Sequence, residues 1–154
     1  MLDYDAEAGR YDETRGGERR AAAAADAIDQ LLPGPGQRVV DVAGGTGIVS
    51  AQLAARGHPD VYVSDRSVGM LQVASTRLPG HAVQADATSL PLLAGSMDAV
   101  TTIWLLHLLG IEAVGLVVAE VARVLRDGGR FITTVDKDAA YAFARARRAR
   151  RVST

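Results

Sequence analysis

The sequence predicts an α/β fold, a mainly parallel doubly wound sheet covered by helices on both faces, in a chain of 154 residues. Three observations predict it. Apolar periodicity switches repeatedly between helical and strand spacing. The strand segments are apolar throughout instead of alternating, as strands buried on both faces must be. Gly- and Pro-rich breakers separate the segments, with no internal repeat and no linker among them.

Taken in order, Ala21, Ala24, Ala25, Ile28, Leu31 and Leu32 recur at helical spacing, and Pro33-Gly34-Pro35-Gly36 stops that helix. RVVDV is a short apolar first strand. Ile48 to Arg56 reads as a helix terminated by Gly57, and VYVSD follows as the second strand. Ser67 is suited to cap a helix that carries Leu71, Ala74 and Leu78 on one face and closes at Pro79-Gly80. HAVQAD is the third strand and MDAVTTIW the fourth. Val114, Val117, Val118, Val121, Val124 and Leu125 give the most regular amphipathic helix, with Asp127-Gly128-Gly129 expected to stop it. RFITTVD is the fifth strand, and Ala139 to Arg151 a final helix. Residues 1–36 read as a helical cap and residues 37–154 as the core.

Composition excludes several classes. Hydrophobic residues at 48% and charged ones at 23% suit a globular chain, and a net charge of -1 gives no overall attraction to nucleic acid or acidic membranes. Without Cys there is no disulfide framework and no thiolate metal site, and the three His lie far apart without ligand spacing, so no metal is expected. The N-terminus is acidic and polar where a secretion signal is basic and then apolar, and the longest apolar stretch, Ala99 to Gly110, is too short to span a bilayer. A cytoplasmic location is expected, with no membrane or nucleic-acid partner. The Arg cluster from Arg145 to Arg151 reads as a solvated helix face.

The chemistry concentrates in VVDVAGGTG, Val39 to Gly47. An open parallel sheet binds its ligand outside the carboxyl ends of its strands, where strand order reverses, and the first strand's exit loop is that place. Residues with little side chain let backbone N–H groups reach a ligand, and Gly45 and Gly47 allow the turn into the next helix. Asp65 ends the second strand 18 residues beyond Gly47, placed to accept hydrogen bonds from both hydroxyls of a ribose. An adenosine ligand is implied. The dinucleotide pattern G-x-G-x-x-G/A fails at Ser50, and Tyr141 is followed by Arg145 where a tyrosine-based reductase carries Lys, so a nicotinamide-dependent oxidoreductase is the lesser alternative. Asp41, Asp65, Asp86 and Asp98 read as acids at the ends of the first four strands, which suits a cationic ligand.

Five ordered segments resemble class I S-adenosylmethionine-dependent methyltransferases of the broad group that includes small-molecule and quinone-pathway enzymes. VVDVAGGTG is similar to the family's V-L-D-x-G-x-G-T-G, VSDRSVGML to G-x-D-x-S-x-x-M-L, and QADATSLPL to G-D-A-x-x-L-P-F. SMDAVTTIWLLHLL resembles F-D-x-V with an apolar turn ending in His, and EVARVLRDGGRFI resembles E-x-x-R-V-L-K-P-G-G-x-F. Departures are Ala43 for the first family glycine, Met97 for Phe and Arg126-Asp127 for Lys-Pro.

The resemblance implies a Rossmann-like sheet in the order 3-2-1-4-5. It implies that Asp41, Ala43, Gly44, Gly45 and Gly47 hold the methionine portion of S-adenosylmethionine, and that Asp65, with Arg66 beside it, takes the ribose. Met70 packs on the adenine, Asp86 accepts from its amino group, the Ala87 N–H meets a ring nitrogen, and Ile103 and Trp104 line the sulfonium. Tyr4-Asp5 and Tyr11-Asp12 resemble the family's Y-D-x-x-A-x-x-Y-D entrance helix, in which Tyr11 and Arg15 close over the cofactor. The implied reaction is methyl transfer to oxygen, nitrogen or carbon of a small molecule, leaving S-adenosylhomocysteine, by a monomer or homodimer. A base is needed only if the acceptor must lose a proton. His107 is the leading candidate and Asp136 the second, whereas His58 and His81 read as turn residues. The family's sheet ordinarily ends in an antiparallel strand pair that has no counterpart here, so the chain is expected to be a truncated piece of a protein of roughly 230 residues. A non-catalytic S-adenosylmethionine-binding scaffold is the remaining alternative.

Overall fold

The computed structural model describes residues 3–134. Valine-rich runs supply the strands, since β-branched side chains suit a pleated, buried surface. They are β1 (Val39–Val42), β2 (Val61–Asp65), β3 (Ala82–Gln84), β4 (Met97–Thr102) and β5 (Leu125–Thr133). The five form one sheet in the order β3-β2-β1-β4-β5, every pairing parallel, as expected. Helices α1 (Tyr4–Glu7), α2 (Tyr11–Thr14) and α3 (Gly17–Leu31) precede the sheet, and α4 (Ile48–Ala54), α5 (Val68–Arg77) and α6 (Ile111–Val124) connect its strands.

The pleat divides the core in two. On one face Val39, Val61, Ala99 and Ile132 meet Ala21, Ala25 and Ile28 of α3 and Val49 and Leu53 of α4, while Val63 meets Leu71, Ala74 and Leu78 on and just after α5. On the other face Val40, Val42 and Val100 meet Val117, Val121 and Val124 of α6. The alanines of α3 matter here, because a small side chain on its buried side lets that helix pack directly on α4. Strand order reverses between β1 and β4, whose exit loops lead to helices on opposite faces and part to leave a crevice.

Four local expectations need correction. The amphipathic helix ends at Val124, not at Asp127, because Leu125 already pairs with Met97 in the sheet. Asp127-Gly128-Gly129 instead makes a bulge: Met97 faces Leu125 but Ala99 faces Arg130, and Gly128 takes φ 74. Asp98 lies at the start of β4, where it accepts from the Arg38 N–H at 2.8 Å and from Arg126 Nε at 2.5 Å, far along the strand from the crevice. His58 is more than a turn residue, being fully buried: its Nδ1 accepts from the Gln37 N–H at 3.2 Å, so Nε2 carries the proton that bonds Asp29 at 2.9 Å. His81 stacks on Tyr62 with ring centroids 4.8 Å apart. Asp136 and the final helix from Ala139 to Arg151 lie outside the described residues. Among the described residues no helix is long and apolar enough to cross a membrane, and no cluster of His, Asp or Glu could hold a metal ion.

Candidate cofactor site

The exit loop of β1 is pinned from three sides. The Gly44 N–H donates to the Ser64 carbonyl at 3.1 Å, the Gly45 N–H to Asp65 Oδ2 at 2.9 Å, and the Gly47 N–H back to Gly44 at 3.0 Å. Glycine is required at Gly44 for space, because a Cβ there would stand 2.8 Å from Asp41 Oδ2 and 3.0 Å from Val63. At Gly45 a Cβ would meet nothing nearer than Met70 sulfur at 3.8 Å, so that side of the loop is open toward the end of β2. Ala43 holds φ 58, a left-handed conformation costly for any residue with a side chain.

Asp41 supports this loop from beneath. It is 3% exposed; Oδ1 accepts from the Thr101 hydroxyl and Oδ2 from the Ser50 hydroxyl, each at 2.7 Å. Burial pushes its carboxyl up to about 6, the two hydroxyls pull it down by less, and the Asp65 charge raises it further. Ser50, the residue that breaks the dinucleotide pattern, is thus the loop's internal hydrogen-bond donor. Asp65 binds outward, Oδ1 taking the Ser67 N–H at 2.9 Å while Oδ2 takes Gly45. Beyond β3, Asp86 is exposed; its Oδ1 accepts from the Thr88 hydroxyl and N–H at 2.7 and 2.9 Å, which hold its carboxyl below the usual range. Its Oδ2 is left with Arg66 at 3.8 Å, and Met70, 1% exposed, lies under the loop.

The N-terminal segment crosses the crevice and is latched by two carboxylates. Asp5 Oδ1 accepts from the Ser67 hydroxyl at 2.5 Å and the Gly69 N–H at 2.8 Å, which lowers its pKa; a Cβ on Gly69 would stand 2.8 Å from the Asp5 backbone. Asp12 accepts from the Thr46 hydroxyl at 2.6 Å and pairs with Arg77 at 2.7 Å, while Arg77 also reaches the Thr46 carbonyl at 2.8 Å. Tyr11 follows, half-buried, its hydroxyl pushed upward in pKa chiefly by burial. Tyr11, Asp12, Arg15, Gly17, Arg20, Ala21, Ile48 and Trp104 line the cleft that remains.

The methyltransferase-domain family matches residues 40–133, more than half of the chain, and the match contains the β1 loop, Asp65, Asp86 and the β4 exit. The chain belongs to the class I S-adenosylmethionine-dependent methyltransferase family. It is similar to a demethylmenaquinone methyltransferase of Beutenbergia cavernae, 44% identical over 106 residues that cover 68% of this chain and 43% of the relative. A demethylmenaquinone methyltransferase of a Mycobacterium species is 41% identical over 143 residues, covering 84% of this chain and 56% of the relative. The chain therefore spans about half the length of these relatives. The crystal structure of Streptomyces venezuelae DesVI superposes with a TM-score of 0.71 at 27% identity, over 86% of this chain and 57% of that one.

Within this methyltransferase domain the expected residues gather at one end of the sheet. Asp41, Ala43, Gly44, Gly45 and Gly47 form the loop; Asp65, Arg66 and Met70 lie beside it at the β2 end; Asp86 and Ala87 follow β3; Ile103 and Trp104 follow β4. Tyr11 and Arg15 come over them from the N-terminus. Asp98 is the exception noted above. His107 sits on a single 3-10 turn, Leu106–Leu108, exposed and without a hydrogen-bond partner among the described residues. The donor set fits the family's cofactor: a glycine-rich loop with no room for a Cβ at Gly44, the carboxylates of Asp65 and Asp86, which are not buried, and the buried thioether of Met70. Sequence reading missed Asp5, Asp12 and Thr46 as latches, and Arg20. The signal available for Arg20 was TRGGERR, Thr14 to Arg20, where arginines bracket paired glycines at the start of a helix.

Proposed function

We propose that this domain binds S-adenosylmethionine in the β1–β4 crevice and transfers its methyl group to a small-molecule acceptor. The observation that carries the proposal is Asp65 joined to the Gly45 N–H at 2.9 Å, a ribose-type acceptor fastened to the glycine-rich loop. When bound, the cofactor supplies a methyl carbon already activated by a sulfonium. The chain's own work is then positioning, which for well-oriented reactants is worth about 7 to 11 kcal/mol. In this reading Asp65 takes the ribose hydroxyls, Asp86 and the Ala87 N–H hold the adenine over Met70, and the Ala43–Gly47 loop receives the amino-acid tail. Asp41 acts through the loop, since it is buried, unlike Asp65, and its two oxygens accept from the Thr101 and Ser50 hydroxyls. Ile103 and Trp104 wall the reacting side, and His107 receives a proton where the acceptor carries one. The names of the Beutenbergia and mycobacterial relatives support an acceptor of the quinone-pathway class. The proposed setting is the cytoplasm.

Calorimetry with S-adenosylmethionine, S-adenosylhomocysteine and NADH tests the cofactor, and binding of NADH alone would end the assignment. Transfer of labelled methyl from S-adenosylmethionine into a metabolite extract tests the reaction. Cofactor binding with no transfer by the full-length protein would favour the scaffold alternative.

A further inference from the structure

The turn that follows β3, residues 86–92, carries the Asp86 carboxyl and the Ala87 N–H, and it is built mostly on itself. Asp86 Oδ1 takes the Thr88 N–H and hydroxyl, the Ser89 N–H donates to the Asp86 carbonyl at 3.0 Å, and the Leu92 N–H donates to the Leu90 carbonyl at 2.8 Å. The sheet holds the chain only as far as Ala85, whose N–H donates to the Asp65 carbonyl at 2.9 Å. Among the described residues, every hydrogen bond that residues 86–92 make outside that stretch goes to two side chains of α6, Glu120 and Arg123.

Glu120 Oε1 accepts from the Leu90 N–H at 2.7 Å, while Arg123 Nη2 donates to the Leu90 carbonyl at 3.0 Å and Nη1 to the Leu92 carbonyl at 2.9 Å. The two side chains stand one helical turn apart and brace each other, Arg123 Nε donating to Glu120 Oε2 at 2.8 Å and Nη2 to Oε1 at 2.6 Å. A planar guanidinium spread over two carbonyls and a carboxylate fixes direction as well as distance, which a point charge does not. Leu90 itself is 5% exposed and shares the core with Val117, Val121 and Val124 of α6, so the end of the turn is fastened to that helix by packing and by the fork together. Direction matters here because Asp86 and Ala87 offer an acceptor beside a donor. Adenine presents an amino group beside a bare ring nitrogen on one edge; hypoxanthine presents a carbonyl beside an N–H there, which reverses both contacts. Such a pair discriminates only while its hydrogen-bond angles are kept.

We propose that Glu120 and Arg123 are positioning residues for nucleobase selection: by fixing Leu90 and Leu92 they hold the Asp86–Ala87 pair at the angle that accepts adenine and rejects hypoxanthine. The inference rests on the function proposed above, in which Asp86 and Ala87 meet the adenine edge. It gives the α6 pair a part in selectivity that neither residue exerts by touching the ligand.

Calorimetry on the full-length protein compares S-adenosylhomocysteine with S-inosylhomocysteine, the same ligand with oxygen in place of the 6-amino group. The wild type should prefer the adenine ligand by about tenfold or more, the size of one hydrogen bond to a charged group. Arg123→Met should weaken S-adenosylhomocysteine by about tenfold, leave S-inosylhomocysteine within about twofold, and so erase most of the preference. Arg123→Lys, with the charge but not the fork, recovers part of it, and Glu120→Gln, which keeps an acceptor for the Leu90 N–H, loses less. In an Asp86→Ala background Arg123→Met should add little, since both act on one contact. Where Arg123→Met fails to fold, the same comparison is read from Arg123→Lys and Glu120→Gln. Equal weakening of both ligands marks a structural role alone and overturns the proposal, as does an unchanged preference in the folded variants or a wild type that binds both ligands alike; all three leave the cofactor reading standing. A wild type that binds neither ligand removes the cofactor reading itself, and this inference with it.

Discussion

Asp41→Asn should change how stability depends on pH. The Asp41 carboxyl is buried and raised from 3.8 to about 6, with desolvation outweighing the hydroxyls of Thr101 and Ser50. A folded-state value above the unfolded one means that the folded protein binds the proton more tightly. Stability from this group is therefore present in full below about pH 4, is lost as pH rises between about 4 and 6, and stays lost above that. At about 1.36 kcal/mol per pKa unit, the gap between 3.8 and about 6 corresponds to roughly 3 kcal/mol. Asp5, Asp86, Asp98 and Glu120 are lowered and contribute the opposite trend, stability lost as pH falls, but they are common to both proteins and cancel in the difference. Asn has the same shape, keeps an acceptor for one hydroxyl and does not titrate. Urea unfolding followed through Trp104 at fixed ionic strength should show the wild type losing about 3 kcal/mol relative to Asp41→Asn between pH 4 and 7. Parallel curves across that range would refute the reasoning, because they would mean that Asp41 is not desolvated in the folded protein.

Three other substitutions examine the loop. Asp65→Ala removes the acceptor at the β2 end and should weaken S-adenosylhomocysteine binding by about 1.5 to 3 kcal/mol; unchanged affinity in calorimetry would remove the ribose assignment. Gly44→Ala places a Cβ 2.8 Å from Asp41 Oδ2 and 3.0 Å from Val63, a clash that should cost about 1 to 3 kcal/mol in denaturant unfolding and displace the loop enough to weaken cofactor binding. Ala43→Gly relieves the side chain at φ 58 and should raise the unfolding free energy by up to about 1 kcal/mol, a loss of stability being the contrary result.

The strands and the helices after them were legible because each carries one period and ends at a breaker, and the chain from β1 to β5 obeys both. The misplaced helix end shows where that logic stops. Asp127-Gly128-Gly129 is a strong terminator on local chemistry, but Leu125 gains a sheet pairing with Met97, and a long-range partner outweighs a local signal. Asp98 is a different case: it stands second in MDAVTTIW, so the chain direction alone puts it at the start of the strand, away from the carboxyl ends, and its bond to the Arg38 N–H agrees.

The site divides along the same line. Its floor is legible because one contiguous loop must satisfy several demands at once, and glycine is the answer at Gly44 and Gly47 for space and for turning respectively. Its cover is not, because Asp5, Asp12 and Arg20 act on residues 34 to 84 positions away: Asp12 on Thr46, Asp5 on Ser67, Arg20 on Trp104. No local pattern encodes such a pairing. The two latch carboxylates engage groups on both sides of the crevice floor, one at the β1 loop and one at the start of α5. Each is therefore a separate anchor of the N-terminal segment, and neither could be placed without the contact that it makes across the fold.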